Sequence, residues 1–437
     1  MQLAVPRGVE GRGNPGLDWV EWCVPSLRPH SVSFTLLLGA LVTLASFATD
    51  MGLPVLAATA QSLGVSPARA ALSLSVFIAG FAVGPLVFGP LSDRFGRRPI
   101  LLGGCAAFAV FGSLGAFAQS IQALLLWRTL MGIGAGTVQV LVLATVRDLF
   151  TGREARTKQA YVNMAGGVAP IIAPTLGIFV AGFGGWRAIY GVLAAGGIVL
   201  LIVATVRLQE TAPMAGHALS VRRTLANYAR VVRHPVSFGN ALVVALSFGS
   251  LFAFVSGSSL VLIGVFGASQ RVYGLLFAVT SLGLVTGAFT SARLTRRGVS
   301  HARLIGVGVA TTAVITVILL ALAATALLRI ATFIPLIVLA NVATGLTRPN
   351  AAQGALEPMP EIVGVASALL SGLQMLVGAA ASALAASLFD GRTAMAMTGT
   401  MAVCSVSAAL VYLLVVRRAE RAVSASAAGG RSVTRAA

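Results

Sequence analysis

The chain has 437 residues, of which 57% are hydrophobic and only 10% are charged. This composition excludes an ordinary soluble domain, because the apolar runs are longer than a globular core accommodates. The formal net charge of +19 would suggest a nucleic-acid partner if it covered a soluble face. The cationic residues instead lie in segments between apolar runs, so we expect a membrane protein without a nucleic-acid partner.

Twelve apolar runs follow one another along the chain, each of about twenty residues and therefore long enough to cross a bilayer as a helix. They lie at 32–57, 70–90, 100–118, 122–146, 160–182, 187–206, 237–263, 272–292, 303–325, 329–347, 362–388 and 394–416. The sequence thus predicts an all-α polytopic membrane protein with twelve transmembrane helices.

The segment between the sixth and seventh runs is polar and divides the helices six and six. The predicted organisation is a cytoplasmic tail at 1–31, a six-helix bundle at 32–207, a linker at 208–236, a second six-helix bundle at 237–416 and a disordered tail at 417–437. The first tail does not match a cleavable secretory signal. Within the linker, Leu219 to Val232 is either a basic amphipathic helix on the membrane or a solvated charged segment.

The cationic residues are distributed unequally between the two sides of the membrane. The loops on the side of the N-terminus carry 25 arginine and lysine residues, and those on the other side carry five. Cytoplasmic loops are enriched in such residues, so both termini are predicted to be cytoplasmic.

The two halves of the chain resemble each other. Gly80 and Gly84 in the second run have counterparts in Gly283 and Gly287 in the eighth. A repeat in the same orientation predicts a pseudo-twofold axis along the membrane normal, with a cavity between the halves.

The segment from Gly89 to Pro99 is short and charged and joins the second and third runs. We predict a tight loop in which Gly89 and Gly96 supply the backbone angles of the reversal. Composition alone is typical of a basic turn at the lipid headgroups.

The same segment carries a more specific pattern. Its sequence, Gly-x-Leu-Ser-Asp-Arg-x-Gly-Arg-Arg, resembles the signature loop of the major facilitator superfamily of transporters. The resemblance implies that Asp93, with Arg94, Arg97 and Arg98, forms a cytoplasmic gate between the transporter halves. Asp93 would then face the start of the eleventh helix near 362–365, where the helix dipole favours an anion.

Two charges lie deep within the predicted helices. Asp50 is the one acidic residue well inside an apolar run, and Arg128 is the one such arginine. Each is about 27 Å from the predicted cytoplasmic end of its helix at 1.5 Å per residue, so we expect the pair to meet and to couple protons to transport. Pro54 frees the Asp50 carbonyl from its helical hydrogen bond. The alternative is that Asp50 is a carboxylate near the outer headgroups.

Two further segments resemble motifs of the superfamily. The sequence from Arg128 to Gly136 is similar to its helix-four motif, whose arginine is implicated in proton coupling. The fifth run contains Pro170, Pro174 and Gly177 in a pattern similar to the antiporter motif, which implies a hinge. Prolines are also common in membrane helices without that role.

The whole chain from about 35 to 415 resembles the Bcr/CflA group of bacterial drug:proton antiporters. The resemblance rests on Thr49-Asp50-Met51 with Leu53-Pro54, the charged loop, the fifth-run prolines and Arg348-Pro349-Asn350-Ala351. Two residues depart from the group: Gly52 replaces its usual tyrosine and Pro85 its usual glutamine. Substrate specificity therefore does not carry over.

Polar residues within helices are candidates for the lining of the cavity, since such groups need partners in a membrane. The candidates are Gln139, Asn163, Asn341, Ser371 and Gln374. Each of them is equally compatible with a contact between helices.

The leading hypothesis is a monomeric transporter in the bacterial cytoplasmic (inner) membrane. It would export small, largely apolar compounds in exchange for protons, with the proton gradient as energy source and no cofactor or metal. Facilitated uptake or exchange of a small metabolite is the alternative. A membrane enzyme is disfavoured because the sequence has no catalytic or metal-binding motif.

Overall fold

The computed structural model describes residues 27–211 and 221–421, and all regular structure within these ranges is helical. Most of the predicted tail at 1–31 and the chain beyond residue 421 lie outside them. Within the described ranges, eleven helices are long and apolar enough to cross a membrane. We label the spans α1 (Val32–Ser62), α2 (Pro67–Phe95), α3 (Arg97–Ala116), α4 (Ile121–Leu149), α5 and α6 (together Gly152–Arg207), α7 (Pro235–Val265), α8 (Gln270–Arg296), α9 (His301–Ala324), α10 (Ile330–Leu356), α11 (Pro360–Ser387) and α12 (Met395–Arg421).

The helix Gly152–Arg207 contains two of these spans. Its 56 residues would extend about 84 Å at 1.5 Å per residue, whereas a bilayer core is about 30 Å thick. The backbone leaves the helical region at Gly184 and at Gly185, whose φ of +63° favours glycine. α5 therefore covers 152–183 and α6 covers 186–207, which gives the predicted total of twelve spans.

The two halves repeat the same set of helix contacts. In the first half α2 packs on α4, α3 on α4, and α1 on α5; in the second half α8 packs on α10, α9 on α10, and α7 on α11. Between the halves, α2 packs on α11 and α8 packs on α5. These two contacts are equivalent under exchange of the halves, as a pseudo-twofold axis requires.

Glycines bring the backbones of α2 and α4 into direct contact. A Cβ atom on Gly80 would lie 2.1 Å from the Thr129 carbonyl oxygen, and one on Gly132 would lie 2.1 Å from that of Phe77. In the other half, a Cβ on Gly287 of α8 would lie 2.1 Å from a carbonyl oxygen of α10. Small residues thus allow equivalent close packing in the two halves.

The predicted loop from Gly89 to Pro99 is mostly helical, and that prediction is wrong. α2 continues through Gly89, whose backbone is helical, and ends at Phe95. Gly96 alone, with φ of +98°, reverses the chain before α3 begins at Arg97. The physical reason is that one residue with a positive φ can separate two helices without a longer loop.

The linker between the halves contains a helix, Val221–Arg233. Its Val231 is buried against Met359 and Ala366, and its Arg230 forms an ion pair with Glu361, with Nη1 3.1 Å from Oε2. The helix therefore packs on the beginning of α11. At the other end of the chain, α12 extends to Arg421, so the part of the predicted disordered tail at 417–421 is helical.

Candidate functional site

A cavity of about 320 Å³ lies between the two halves. Four helices of each half line it: α1, α2, α4 and α5 from the first, and α7, α8, α10 and α11 from the second. We call it the central cavity. Each half supplies the equivalent helices, as expected for a site on the pseudo-twofold axis.

Most of the wall of the central cavity is apolar. Six phenylalanines contribute to it: Phe77, Phe81, Phe248, Phe252, Phe254 and Phe277. The rings of Phe248 and Phe252 lie 4.3 Å apart. Large aromatic side chains offer contact area to apolar ligands of varied shape, and a few polar groups among them orient the ligand.

Asp50 lines the central cavity from the point where α1 is interrupted. The first helical part of α1 ends at Asp50, and a short 3₁₀ helix, Leu53–Val55, follows. Pro54 lies in that short helix, so the break falls where the sequence predicts it. The Asp50 side chain is only 4% exposed, and within the described ranges no cationic side chain lies within 4.0 Å of it.

The break in α1 is packed tightly against α5. A Cβ atom on Gly177 would lie 2.0 Å from the Met51 carbonyl oxygen. Glycine is therefore required at this position of α5 to bring the helix against the residue that follows Asp50.

Arg128 does not meet Asp50, so the predicted pairing is absent from this structure. Arg128 lines a separate, smaller cavity of about 30 Å³. Its guanidinium lies over the Phe77 ring, 4.3 Å from the centroid, and its Nε donates to the Ser73 carbonyl oxygen at 3.3 Å. The physical reason is orientation: equal depth in two helices does not place two side chains on facing sides. Thr49 lines both cavities and separates them.

Arg348 is the charged residue that the sequence analysis missed. The predicted apolar run at 329–347 ends before it, but Arg348 lies within α10 and lines the central cavity. Its Nη2 donates to Gln374 Oε1 at 3.1 Å, and its guanidinium lies 4.9 Å from the centroid of Phe248. The apolar run ends at Thr347 in the sequence, and only the Arg-Pro-Asn pattern already noted could have indicated a functional role.

Asp50 and Arg348 lie at different depths in the central cavity. We call the end of the bundle where α1 begins and α10 ends the basic face. Along their helices Asp50 is about 27 Å and Arg348 about 12 Å from that face, at 1.5 Å per residue. The cavity thus contains a carboxylate and a guanidinium separated along the membrane normal.

Four of the five other cavity candidates line the central cavity: Gln139, Asn163, Asn341 and Gln374. Ser371 does not contribute to its wall. Asn341 also donates to the Thr280 carbonyl oxygen at 2.9 Å, so it joins α10 to α8 as well as lining the cavity.

α5 is not interrupted at its two prolines. Pro170 and Pro174 lie within continuous helix, and the non-helical residues are Gly184 and Gly185. Pro170 lines the central cavity. The prediction of a hinge at the prolines is therefore not met by a break in this structure, because a helix tolerates the loss of two backbone donors when its neighbours support it.

The charged segment at the basic face ties the first half together. Arg97 forms ion pairs with Asp93 and, at 2.9 Å, with Asp148 at the end of α4. The backbone N–H groups of Arg97 and Arg98 donate to the Glu210 carboxylate at 2.8 and 3.1 Å. The predicted gate residues thus join α2 and α3 to α4 and to the segment after α6.

A crevice of about 380 Å³ separates this charged segment from the second half. Asp93 and Arg97 line one wall, while Gly364 and Val365 of α11 line the other, as does Tyr228 of the linker helix. Gly89 also lies in this crevice. The structure therefore places Asp93 opposite the first turns of α11. Arg94 is outside the crevice, with its guanidinium 5.3 Å from the Phe95 ring centroid.

The halves also touch near the opposite face. Ser75 of α2 and Ser382 of α11 share a hydrogen bond, with their Oγ atoms 2.8 Å apart. A Cβ atom on Gly274 of α8 would lie 3.2 Å from Thr175 Oγ1 of α5. Both contacts involve the two helix pairs that join the halves.

Comparisons with known proteins agree with this architecture. The sequence model of the Major Facilitator Superfamily matches residues 37–383. An uncharacterised MFS-type transporter of Bacillus subtilis (strain 168), YdgK, is 32% identical over 87% of this chain and 94% of its own length. A bicyclomycin resistance protein homolog of Haemophilus influenzae is 29% identical over 88% of this chain and 96% of its own.

A solved structure shows the same fold. The crystal structure of a bacterial homolog of the human lysosomal transporter Spinster, in an inward-facing and occupied conformation, superposes with a TM-score of 0.69 at 16% identity, covering 91% of this chain and 98% of that one. Twelve spans surround a cavity between two equivalent halves, and the matching family and relative are transporters, so the chain is an integral membrane transporter and not an enzyme. The chain belongs to the Major Facilitator Superfamily. This confirms the family that the charged segment from Gly89 to Pro99 indicated in the sequence. The Haemophilus relative agrees with the resemblance to the Bcr/CflA group.

Proposed function

We propose that this transporter exports small, largely apolar compounds across the bacterial cytoplasmic membrane in exchange for protons. The observation that carries the proposal is a phenylalanine-lined cavity of about 320 Å³ that contains a buried carboxylate, Asp50. Two relatives support it: one is named for bicyclomycin resistance and the other as a transporter. The energy source is the proton gradient, and no cofactor is required.

Asp50 carries the proton in this proposal. Protonation neutralises the carboxylate of the central cavity and favours one arrangement of the halves, and substrate arrival favours release of the proton. Arg128 contributes its positive charge from the neighbouring small cavity, across Thr49, without forming an ion pair in this state. The two halves of the chain together line the central cavity, so the proposed cycle needs no second copy, and we propose a monomer.

The orientation follows from the distribution of charge. The segments that the sequence assigns to the side of the N-terminus carry about five times as many arginine and lysine residues as those on the opposite side. We therefore place the basic face and both termini in the cytoplasm. The gate residues at that face, from Asp93 to Arg98, then close or open the cytoplasmic route to the central cavity.

The test is transport in proteoliposomes with bicyclomycin as the probe compound. The Asp50→Asn variant should still exchange labelled for unlabelled compound, but an imposed pH gradient should no longer drive its accumulation. The matched control is Asp390→Asn, which changes an acid in the exposed turn between α11 and α12. Gradient-driven accumulation that persists in Asp50→Asn would refute the assignment of the proton to Asp50.

One observation favours a second candidate, the facilitated uptake or exchange of a small metabolite. Arg348 gives the central cavity a guanidinium that can bind a carboxylate. If the substrate is anionic, Arg348→Gln should reduce its exchange at least tenfold, while exchange of an uncharged apolar compound changes little. Equal effects on both compounds would argue against this candidate. The measurement is counterflow in proteoliposomes without a pH gradient.

A further inference from the structure

The small cavity beside the break in α1 has an unusual set of polar groups. Its volume of about 30 Å³ is the space of about one water molecule. Arg128, Trp186, Tyr190 and Ser73 contribute to its wall, and none of its lining residues is acidic. It lies within the first half, apart from the central cavity.

Arg128 is a buried cation with no counter-ion in the part of the chain that the structure describes. The side chain is 4% exposed, and among the described residues no carboxylate lies within 4.0 Å of it. The rings of Phe77 and Tyr190 lie 4.3 and 5.7 Å from its guanidinium carbon. Aromatic faces compensate a cation only in part, and a guanidinium has five donors, of which Nε alone has a protein acceptor here.

The wall of the small cavity also includes Trp186. The indole N–H of Trp186 is buried and has no acceptor within the described ranges. The guanidinium of Arg187 lies 4.3 Å from the centroid of the Trp186 ring. Arg187 donates to Ser62 Oγ and to the Ala118 carbonyl oxygen, and it too forms no ion pair within those ranges. Among the described residues, Arg128 is therefore the one cation that lines this cavity, with the Trp186 ring in its wall, and Arg187 lies behind that ring.

We propose that the small cavity binds a monovalent inorganic anion of the size of chloride, which acts as the counter-ion of Arg128. A buried cation is costly without a compensating charge, and donors without acceptors favour an anion over a cation or an apolar ligand. The volume admits a halide and excludes organic anions such as gluconate. The site shares Arg128 with the proposed proton coupling, but it is tested by halide binding in detergent and not by transport, so its failure and the failure of the proposed function are distinguishable.

Gly52 offers a way to close the site without altering Arg128. Gly52 lines the small cavity, and a Cβ atom added to it would meet nothing within 4 Å. Its φ of −80° suits any residue. A Gly52→Val side chain should therefore occupy the space that the anion needs while the protein stays folded.

Trp186 is a reporter within the site. The chain has four tryptophans, and the test protein carries phenylalanine in place of Trp19, Trp22 and Trp127. The fluorescence emission of Trp186 is then measured in detergent while sodium chloride or sodium bromide replaces sodium gluconate at constant ionic strength. We expect a saturable change with both halides, weakened at least tenfold by Arg128→Gln and by Gly52→Val. The control variant is Arg69→Gln, which alters an exposed arginine near the start of α2 and should leave the halide-dependent change in emission intact.

The outcomes separate an anion site from a cavity that holds only water. A saturable halide response that both variants weaken, in proteins with unchanged helical content by circular dichroism, supports the site. An emission that does not change, or that falls linearly with halide and equally in all variants, overturns the proposal. A saturable response that survives in Gly52→Val would also overturn it, because that variant keeps Arg128 and fills the cavity.

Discussion

Replacing Gly177 by alanine tests the packing that holds Asp50 in the central cavity. The added Cβ would lie 2.0 Å from the Met51 carbonyl oxygen and 2.8 Å from its carbon. Carbon–oxygen contacts need more than 3 Å, so α5 must withdraw from α1 by about 1 Å, since a packed core resists even one added methyl group. Overpacking of this kind costs about 1–3 kcal/mol.

A matched variant removes the contribution of helix propensity from this comparison. Gly182 lies in the same helix, and a Cβ added there would meet nothing within 4 Å. Alanine in a helix interior is favoured over glycine by about 1 kcal/mol, and Gly182→Ala, in the last turn of α5, has at most this gain. Gly177→Ala should therefore be about 1–3 kcal/mol less stable than Gly182→Ala.

The assay compares the two variants with the parent protein. The thermal midpoint in detergent, measured at one scan rate, should fall for Gly177→Ala and stay equal or rise for Gly182→Ala. Gradient-driven transport should fall only in Gly177→Ala, because the break after Asp50 shifts. Equal midpoints for the two variants would refute the close contact between α5 and the Met51 carbonyl.

Two further predictions concern the contacts at the two faces. Arg97→Gln removes the ion pairs with Asp93 and Asp148 and should lower the thermal midpoint. The control is Arg94→Gln, at an exposed position where the guanidinium lies beside the Phe95 ring, and it should change the midpoint little. Equal shifts of the midpoint in the two variants would contradict the role of Arg97. The second prediction concerns a double variant, Ser75→Cys with Ser382→Cys, in a background without the native cysteines. Oxidation should form a disulfide and stop transport, and reduction should restore transport. Full transport by the cross-linked protein would show that this contact need not open.

The twelve spans were predictable because a bilayer sets the length of an apolar run. The sequence also predicts the break beside Pro54, since proline removes a specific backbone donor. The close packing at Gly80 and Gly287 is indicated in the sequence only because glycines recur at corresponding positions of the two halves. Each of these features is determined within one segment of the sequence, or by comparing two segments, so it can be predicted without knowing how the helices pack.

The side-chain constellation was less predictable. Asp50 and Arg128 lie at matching depth by residue count, but the direction of each side chain depends on how α1 breaks and how α4 is rotated against α2. Arg348 follows the last apolar residue of its run, so only the packed bundle shows that it is enclosed. The gate segment was expected to be a loop because its composition is that of a loop, whereas Gly96 alone makes the turn.

The backbone contacts of α2 with α4, and of α8 with α10, restrict how the protein can change shape. Glycines at these crossings leave no side-chain layer between the helices that could be repacked, so each pair must travel as one stiff body. Relative displacement of the two halves must then occur outside these pairs, for example where α2 meets α11 and where α5 meets α8. The distance between two probes placed across those boundaries should change during the transport cycle. The distance between two probes placed within one helix pair should stay constant.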